Sequence, residues 1–368
     1  MIRLTVPDIT ASDIQAAAEV LATGQLIQGP SVAQFENRLA EYTGIPTVVV
    51  SSGTAALHLA LLASGIGRGD AVLVPAFTFP ATANVVEQVG ATAVFSDVEA
   101  GTYVASPDLI ADAWDRHTGP RIRAIMPVSE FGCPADGEAV SSFAAARGAV
   151  MIEDAACAFG TVDQGHHPGA RGQAACLSFH PRKAITTGDG GAILSRDDAY
   201  LERVRRLRAH GMVRSGDALD FVAPGLNYRM TEFQAALAIG QLQRYPRQLE
   251  HRRTLANRYL ERLSGIERLS LPTRVDGHSW QTFMVVFEDS VNRDEVRRLM
   301  SARGIETNLG AQALNCLTWF RDRYALTENS FPTATRLFRH GLALPLHGKL
   351  SLSDVDCVCD TLVSVLRD

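Results

Sequence analysis

Apolar residues recur at three- and four-residue intervals over Ser12 to Ala22 and again over Val32 to Tyr42. That spacing predicts two amphipathic helices, with Ser12 as the N-cap of the first and a glycine-punctuated turn from Gly24 to Pro30 between them. The period then changes. Thr47 to Val50 reads as a buried strand running straight into Ser51-Ser52-Gly53-Thr54-Ala55-Ala56, which opens a helix over Ala55 to Ala63. Val72 to Val74, Ala93 to Phe95, Ala124 to Pro127, Ala149 to Cys157 and Ala192 to Ser195 read as further strands, and helices are predicted over Ser106 to Trp114 and Gly137 to Arg147. Nearly continuous apolar strands alternating with helices predict an α/β fold whose sheet is mostly parallel and covered on both faces.

Past residue 195 the pattern becomes less regular. Leu201 to His210 reads as a basic helix with a solvated face, and a loop over Ala223 to Glu232 leads to a helix from Glu232 to Gln243 capped by Thr231. Composition shifts at Tyr245 to Arg253, a charged helical stretch that reads as joining two domains. Thr282 to Glu288 alternates as a strand, while Arg293 to Arg303 and Asp354 to Leu366 are helical, so a smaller α+β unit is expected. At 368 residues the chain exceeds one simple core. The expected division is a large α/β domain over 1–245 and a small C-terminal domain over 246–368.

Composition narrows the classes of partner. The chain is 46% hydrophobic and 20% charged with a formal net charge of -5, as an ordinary globular protein is, and it offers no electrostatic footprint for nucleic acid. Met1 to Ala11 contains Asp8 and lacks a basic region followed by an apolar core, so no secretory signal is read and a cytoplasmic location is expected. The apolar stretch Val48 to Gly67 is interrupted by Ser51, Ser52, Gly53, Thr54 and His58 and does not read as a membrane span. Cys133, Cys157, Cys176, Cys316, Cys357 and Cys359 show no Cys-x-x-Cys pair or zinc-finger spacing, so no metal is expected and the thiols read mainly as small buried hydrophobes. No Gly-x-Gly-x-x-Gly or Gly-x-x-x-x-Gly-Lys run occurs, which leaves dinucleotide and P-loop sites unsupported.

Four features carry chemistry. Ser51 to Ala56 places a helix N-terminus after a strand, where unpaired N–H groups and the helix dipole suit a phosphate and Gly53 lets it approach; an ordinary tight connection is the plain alternative. Pro75 to Asn84 puts Phe79 and several hydroxyls at a strand's C-terminal edge, where ligands gather in open α/β sheets. Asp154 ends another strand, fit either to cap the next helix or to hold a proton on a buried heteroaromatic nitrogen. Lys183 lies between Ser178 and the glycines 188, 190 and 191, and a dehydrated pocket would make its ammonium lose a proton more easily, freeing an amine for a Schiff base. Pyridoxal 5'-phosphate accounts for all four, with its phosphate on Gly53, Thr54, Ala55 and Ser178, its ring against Phe79, its nitrogen on Asp154 and its aldehyde on Lys183.

The order of these segments resembles the DegT/StrS-type sugar aminotransferases of fold type I. The resemblance is carried by Gly29-Pro30 with Phe35-Glu36, Ser52 to Leu57, Pro75 to Asn84, Pro134-Ala135-Asp136, Glu153 to Ala156, Ser178 to Gly191, Asn227 to Met230 and Ala343 to Leu346, over nearly the whole chain. It implies a homodimer with shared active sites, Asn227 contacting the phosphate from the other subunit, and ping-pong transfer of an amino group from L-glutamate to a keto group of a nucleotide-linked sugar. By the same resemblance Lys183 is both the Schiff-base residue and the proton shuttle.

Three positions depart from the family pattern. Cys157 replaces a frequent glutamine near the phenolic oxygen, Ser129-Glu130-Phe131-Gly132 replaces a loop often begun by histidine, and Trp280-Gln281-Thr282 stands where a histidine is common. His180, Arg229, Glu130 and Gln281 are candidate substrate contacts, each with a structural alternative, while His58 reads as packed inside its helix. A sugar dehydratase on this fold carries histidine in place of the lysine, which Lys183 argues against, and a non-catalytic regulator would have little use for both Asp154 and Lys183.

Overall fold

The computed structural model describes residues 1–367. Seven strands form its main sheet: β1 (Thr47–Val50), β2 (Asp70–Pro75), β3 (Thr92–Ser96), β4 (Arg121–Ile125), β5 (Val150–Asp154), β6 (Ala174–Ser178) and β7 (Gly191–Leu194). Their spatial order is β1-β7-β6-β5-β4-β2-β3. Neighbours pair in parallel except at β7, which runs antiparallel to both β1 and β6. The exception has a simple cause. A parallel return from β6 needs a crossover, usually a helix, whereas the 179–190 segment is a loop that turns the chain straight back. Lys183 rides on that reversal, beside the C-terminal edge where β1, β5 and β6 all end.

Predicted and observed elements differ mainly at their ends. The first helix is Ala11–Thr23, and its cap is Thr10, not Ser12: the Thr10 hydroxyl and the Asp13 carboxylate exchange hydrogen bonds with each other's backbone N–H in a capping box. Asp13 also receives Arg244 Nη2 at 2.6 Å. The strand Ala174–Ser178 is absent from the sequence reading because its alanines, cysteine and serine carry little β-branched or aromatic signal.

The helix predicted over Glu232 to Gln243 instead continues to Leu263 as 32 residues, with Pro246 inside it. Tyr245 to Arg253, expected to be helical, lies within this helix. Leu249, Arg252, Leu255, Ala256 and Tyr259 turn inward along one stripe. Tyr245 and Leu249 belong to a core with Phe35, Leu39 and Phe179, whereas Leu255, Ala256 and Tyr259 belong to a second core around Phe283, Phe287 and Leu362. That second core covers an antiparallel sheet of Leu269–Ser270, Phe283–Phe287 and Gly341–Leu344. Leu314, Phe331 and Leu337 pack with the main sheet.

The basic helix, observed as Asp198–Arg208, is not wholly solvated. Arg208 points inward and donates to Glu36 Oε1 at 2.8 Å and to the Val49 carbonyl at 2.5 Å, while the Val49 N–H donates to Glu36 Oε1 at 2.9 Å. This buried pair ties the second helix, Pro30–Thr43, to β1. Arg208→Met strands the Glu36 carboxylate and is expected to cost about 3 kcal/mol, read as a lower urea midpoint at unchanged slope.

All six cysteines are free thiols. Among the described residues no helix is long and apolar enough to cross a membrane.

Candidate active site

The sheet edge supplies an anion cradle at one end. The chain leaves β1 through Ser51 and Ser52 and enters the helix Gly53–Ala63, where the Ser52 Oγ accepts the Ala55 N–H at 3.0 Å. The N–H groups of Gly53 and Thr54, in the first helical turn, have no acceptor within the helix and point outward. A β-carbon on Gly53 would lie 2.8 Å from the Ser178 β-carbon, so only glycine lets this helix begin so close to the end of β6. The Tyr228 carbonyl accepts the Ser51 N–H at 2.8 Å, and the Tyr228 hydroxyl meets His58 Nδ1 at 3.1 Å, which holds the Asn227–Arg229 segment beside the cradle. Asn227 itself is exposed. Arg229 is half-buried, and its Nε has no hydrogen-bond partner among the described residues.

Asp154 closes β5 and is 4% exposed. Its Oδ2 accepts the Thr82 hydroxyl at 2.7 Å and its Oδ1 accepts the Ala156 N–H at 3.1 Å. Burial raises its pKa, against the pull of those two donors and of the Lys183 charge. Phe79 lies just before the helix Ala81–Gln88 and is 70% exposed, so within one chain it is neither core nor stacked.

The 179–190 loop is tightly held. Gln241 makes two hydrogen bonds with the Thr186 backbone, at 2.9 and 3.0 Å, and the Lys183 N–H donates to the His180 carbonyl at 2.8 Å. Lys183 Nζ donates to Cys157 Sγ at 2.8 Å. Burial acts to depress the Lys183 ammonium, but Cys157, Glu130 and Asp154 outweigh it and hold the group above its ordinary value. The expectation that dehydration alone would loosen this proton is thereby corrected: the residues around the lysine are acidic and favour its charge. Burial pushes the Cys157 thiol up to about 11.

Glu130 joins this cluster from a short 3-10 turn, Glu130–Gly132, in which Phe131 takes a φ of 56°. It is 5% exposed, and burial raises it to about 7. Gln281 Nε2 donates to the Arg182 carbonyl at 2.8 Å, and the Gln281 N–H donates to the Phe131 carbonyl at 2.9 Å, so Gln281 bridges the lysine loop and the Glu130 turn. His180 faces its own loop, its Nδ1 taking the Arg182 N–H at 3.2 Å.

Buried Glu130 and Asp154 and half-buried Cys157 and Lys183 thus form one cluster, with Gly53, Thr54, Ala55 and Ser178 in the adjoining cradle. Phe79, Asn227, His180 and Gln281 surround these two groups without entering either. Sequence reasoning missed Thr82, the donor to Asp154; its signal was the Thr78-x-x-x-Thr82 spacing, one helical turn, after a strand end.

The model of the DegT/DnrJ/EryC1/StrS aminotransferase family matches residues 7–363. Among solved structures, the chain is similar to the putative sugar aminotransferase Spr1654 from Streptococcus pneumoniae in its PMP form, at 27% identity and a TM-score of 0.93, covering 100% of this chain and 99% of that one. It is similar to the aminotransferase TlmJ from Streptoalloteichus hindustanus at 32% identity and a TM-score of 0.91, with 100% and 99% covered. DesV from S. venezuelae matches at 32% identity and a TM-score of 0.89, with 98% of each chain covered.

Proposed function

This chain belongs to the DegT/DnrJ/EryC1/StrS aminotransferase family, and from that premise we propose that it moves an amino group from L-glutamate to a keto group of a nucleotide-linked deoxysugar. The observation that carries the reading is the single cluster in which Lys183 faces Asp154 and Glu130 at the sheet edge, next to a helix N-terminus walled by Gly53 and Ser178.

The residues present fit pyridoxal 5'-phosphate. Bound there, it supplies an aldehyde that takes up the amino group and a ring that accepts electrons while its nitrogen is protonated. The outward N–H groups of Gly53 and Thr54, with the Ser178 hydroxyl, would hold its phosphate. Asp154, ionised and fixed by Thr82 and Ala156, would keep the ring nitrogen protonated. Lys183 would anchor the aldehyde through Nζ and, once released, hold and move the substrate proton there. Cys157 Sγ lies against the same Nζ and joins Glu130 and Asp154 in favouring the lysine's charge.

The exposure of Phe79 and Asn227 suits a homodimer in which each is covered when the sites close, and a cytoplasmic enzyme with small-molecule partners is the matching context. Purified protein given pyridoxal 5'-phosphate should show the visible absorption of a lysine-bound cofactor. L-glutamate should bleach it, and a keto sugar should restore it with a product heavier in nitrogen. Protein that takes up no cofactor, or a cofactor band indifferent to every amino acid, would refute the reading.

A further inference from the structure

Lys183 is the fourth residue of a tight turn. Its N–H donates to the His180 carbonyl at 2.8 Å, Pro181 holds the second position, where its fixed φ suits such turns, and His180 Nδ1 takes the Arg182 N–H at 3.2 Å. Those bonds are local to the turn. The peptide unit leading into Lys183 has a second end, the Arg182 carbonyl, and this accepts Gln281 Nε2 at 2.8 Å. A peptide is planar, so bonding both its ends fixes its plane and constrains the direction in which the lysine side chain leaves the backbone. Among the described residues, no other group outside 178–190 bonds the backbone of 180–183.

Gln281 is itself held for this bond. The Thr282 hydroxyl donates to its Oε1 at 2.9 Å, which turns Nε2 toward Arg182, and the Gln281 N–H donates to the Phe131 carbonyl at 2.9 Å. Behind it Trp280 takes a φ of 52°, with its N–H on His278 Nδ1 at 2.8 Å and its ring stacked on that imidazole, centroids 3.9 Å apart. His278, Ser279 and Trp280 are all buried. The Ser279 N–H donates to the Gly132 carbonyl at 3.0 Å, and a β-carbon on Gly132 would collide with the Ser279 side chain. Positive φ in a bulky residue costs free energy and persists where its surroundings enforce it. Here two such residues, Phe131 and Trp280, lie on turns bonded to each other, and the second turn carries Gln281 to the lysine loop.

The geometry points to Gln281 as a positioning residue: its side-chain amide, backed by the turn at 278–282, clamps the Arg182–Lys183 peptide and so aims Lys183 Nζ at the carbon whose proton it moves. This rests on the reading of Lys183 as anchor and proton carrier. Direct contact with substrate is the competing role, and the two change different quantities. A clamp acts on the rate of proton movement and leaves affinity alone, whereas a contact made in the bound state acts on affinity.

Gln281→Met keeps the length of the side chain and removes the donor; the position is half-buried, so both cores stay intact. Gln281→His places a ring N–H, on Nε2, the same number of bonds from the backbone and should restore the clamp. The holoenzyme is mixed with L-glutamate, and single-turnover bleaching is followed over a range of concentrations. In Gln281→Met the limiting rate should fall by about tenfold to a hundredfold, the loss that a misplacement of about 1 Å produces, at an unchanged half-saturating concentration. The isotope effect with L-glutamate deuterated at its α-carbon should grow, because proton movement limits more of the rate. In cofactor-free protein the Lys183 amide should exchange its hydrogen about fivefold faster in Gln281→Met, as expected for the loss of one hydrogen bond, and at the wild-type rate in Gln281→His.

A raised half-saturating concentration with an unchanged limiting rate would make Gln281 a substrate contact and overturn the clamp. An unchanged isotope effect or unchanged Lys183 exchange in Gln281→Met would also overturn it, and each of these results leaves the proposed function standing. Wild-type protein that forms no lysine-bound cofactor band would remove both.

Discussion

Lys183→Ala should leave a folded protein that no longer transaminates, with turnover down at least about a thousandfold. General acid–base catalysis by one positioned group contributes about a hundred- to ten-thousandfold, and this residue is proposed to serve as anchor as well. Nothing else nearby can substitute. The closest alternative, Cys157, has its thiol pushed up to about 11 by burial and so carries almost no thiolate at neutral pH. The fold should survive, because the loop is held by its backbone and by Gln241 and not by the lysine side chain. The check is single-turnover bleaching by L-glutamate together with the melting temperature. An added primary amine should restore part of the rate if the lost function is proton transfer. Wild-type turnover in Lys183→Ala would end the assignment.

Asp154→Asn should lower turnover by about a hundred- to a thousandfold, the range seen when one preorganised electrostatic contact to developing charge is removed. Asparagine retains the shape: its oxygen can accept the Ala156 N–H, and its amide can donate to the Thr82 hydroxyl. What it lacks is the charge. The sign of the stability effect separates the two roles of this residue. Burial raises the folded-state value of Asp154 above that of the unfolded chain. Its contribution to stability is therefore full only below the unfolded value and is lost as pH rises through the folded one. Near neutral pH the ionised carboxylate thus burdens the empty protein, and apo Asp154→Asn should melt no lower than wild type while the loaded enzyme loses activity. A fall in apoprotein stability matching the loss of turnover would instead mark Asp154 as structural.

Much of this site was legible because its residues sit where strand and helix periods change. Ser51 to Ala56 and Asp154 each fall at the end of an apolar run, Ser178 was read from its place just before Lys183, and the topology brings these segments together. What escaped was whatever depends on partners distant in sequence. The direction of β7 was not readable from Ala192 to Ser195, since the strand's own residues are the same either way; only the lack of a helix in 179–190 distinguishes the two. Arg208 was read from its neighbours Arg205 and Arg206, which are solvated, while its own position turns it onto Glu36. Glu130 was unresolved for the same reason. Its neighbours Asp154 and Lys183 are distant in sequence, and the turn that buries it requires Phe131 at positive φ, which no local residue preference signals.

The helix Glu232–Leu263 also has a bearing on how the molecule comes apart. Near one end, Glu232 accepts the N–H groups of Gly29, Ser31 and Val32, at 2.6, 2.8 and 2.9 Å. Toward the other, the Tyr259 hydroxyl donates to the Pro345 carbonyl at 2.9 Å. Helix propagation is cooperative, so fraying at either clamp shortens the same rod. The two cores thus draw on the same helix, the C-terminal one through Leu255, Ala256 and Tyr259 and the other through Tyr245 and Leu249.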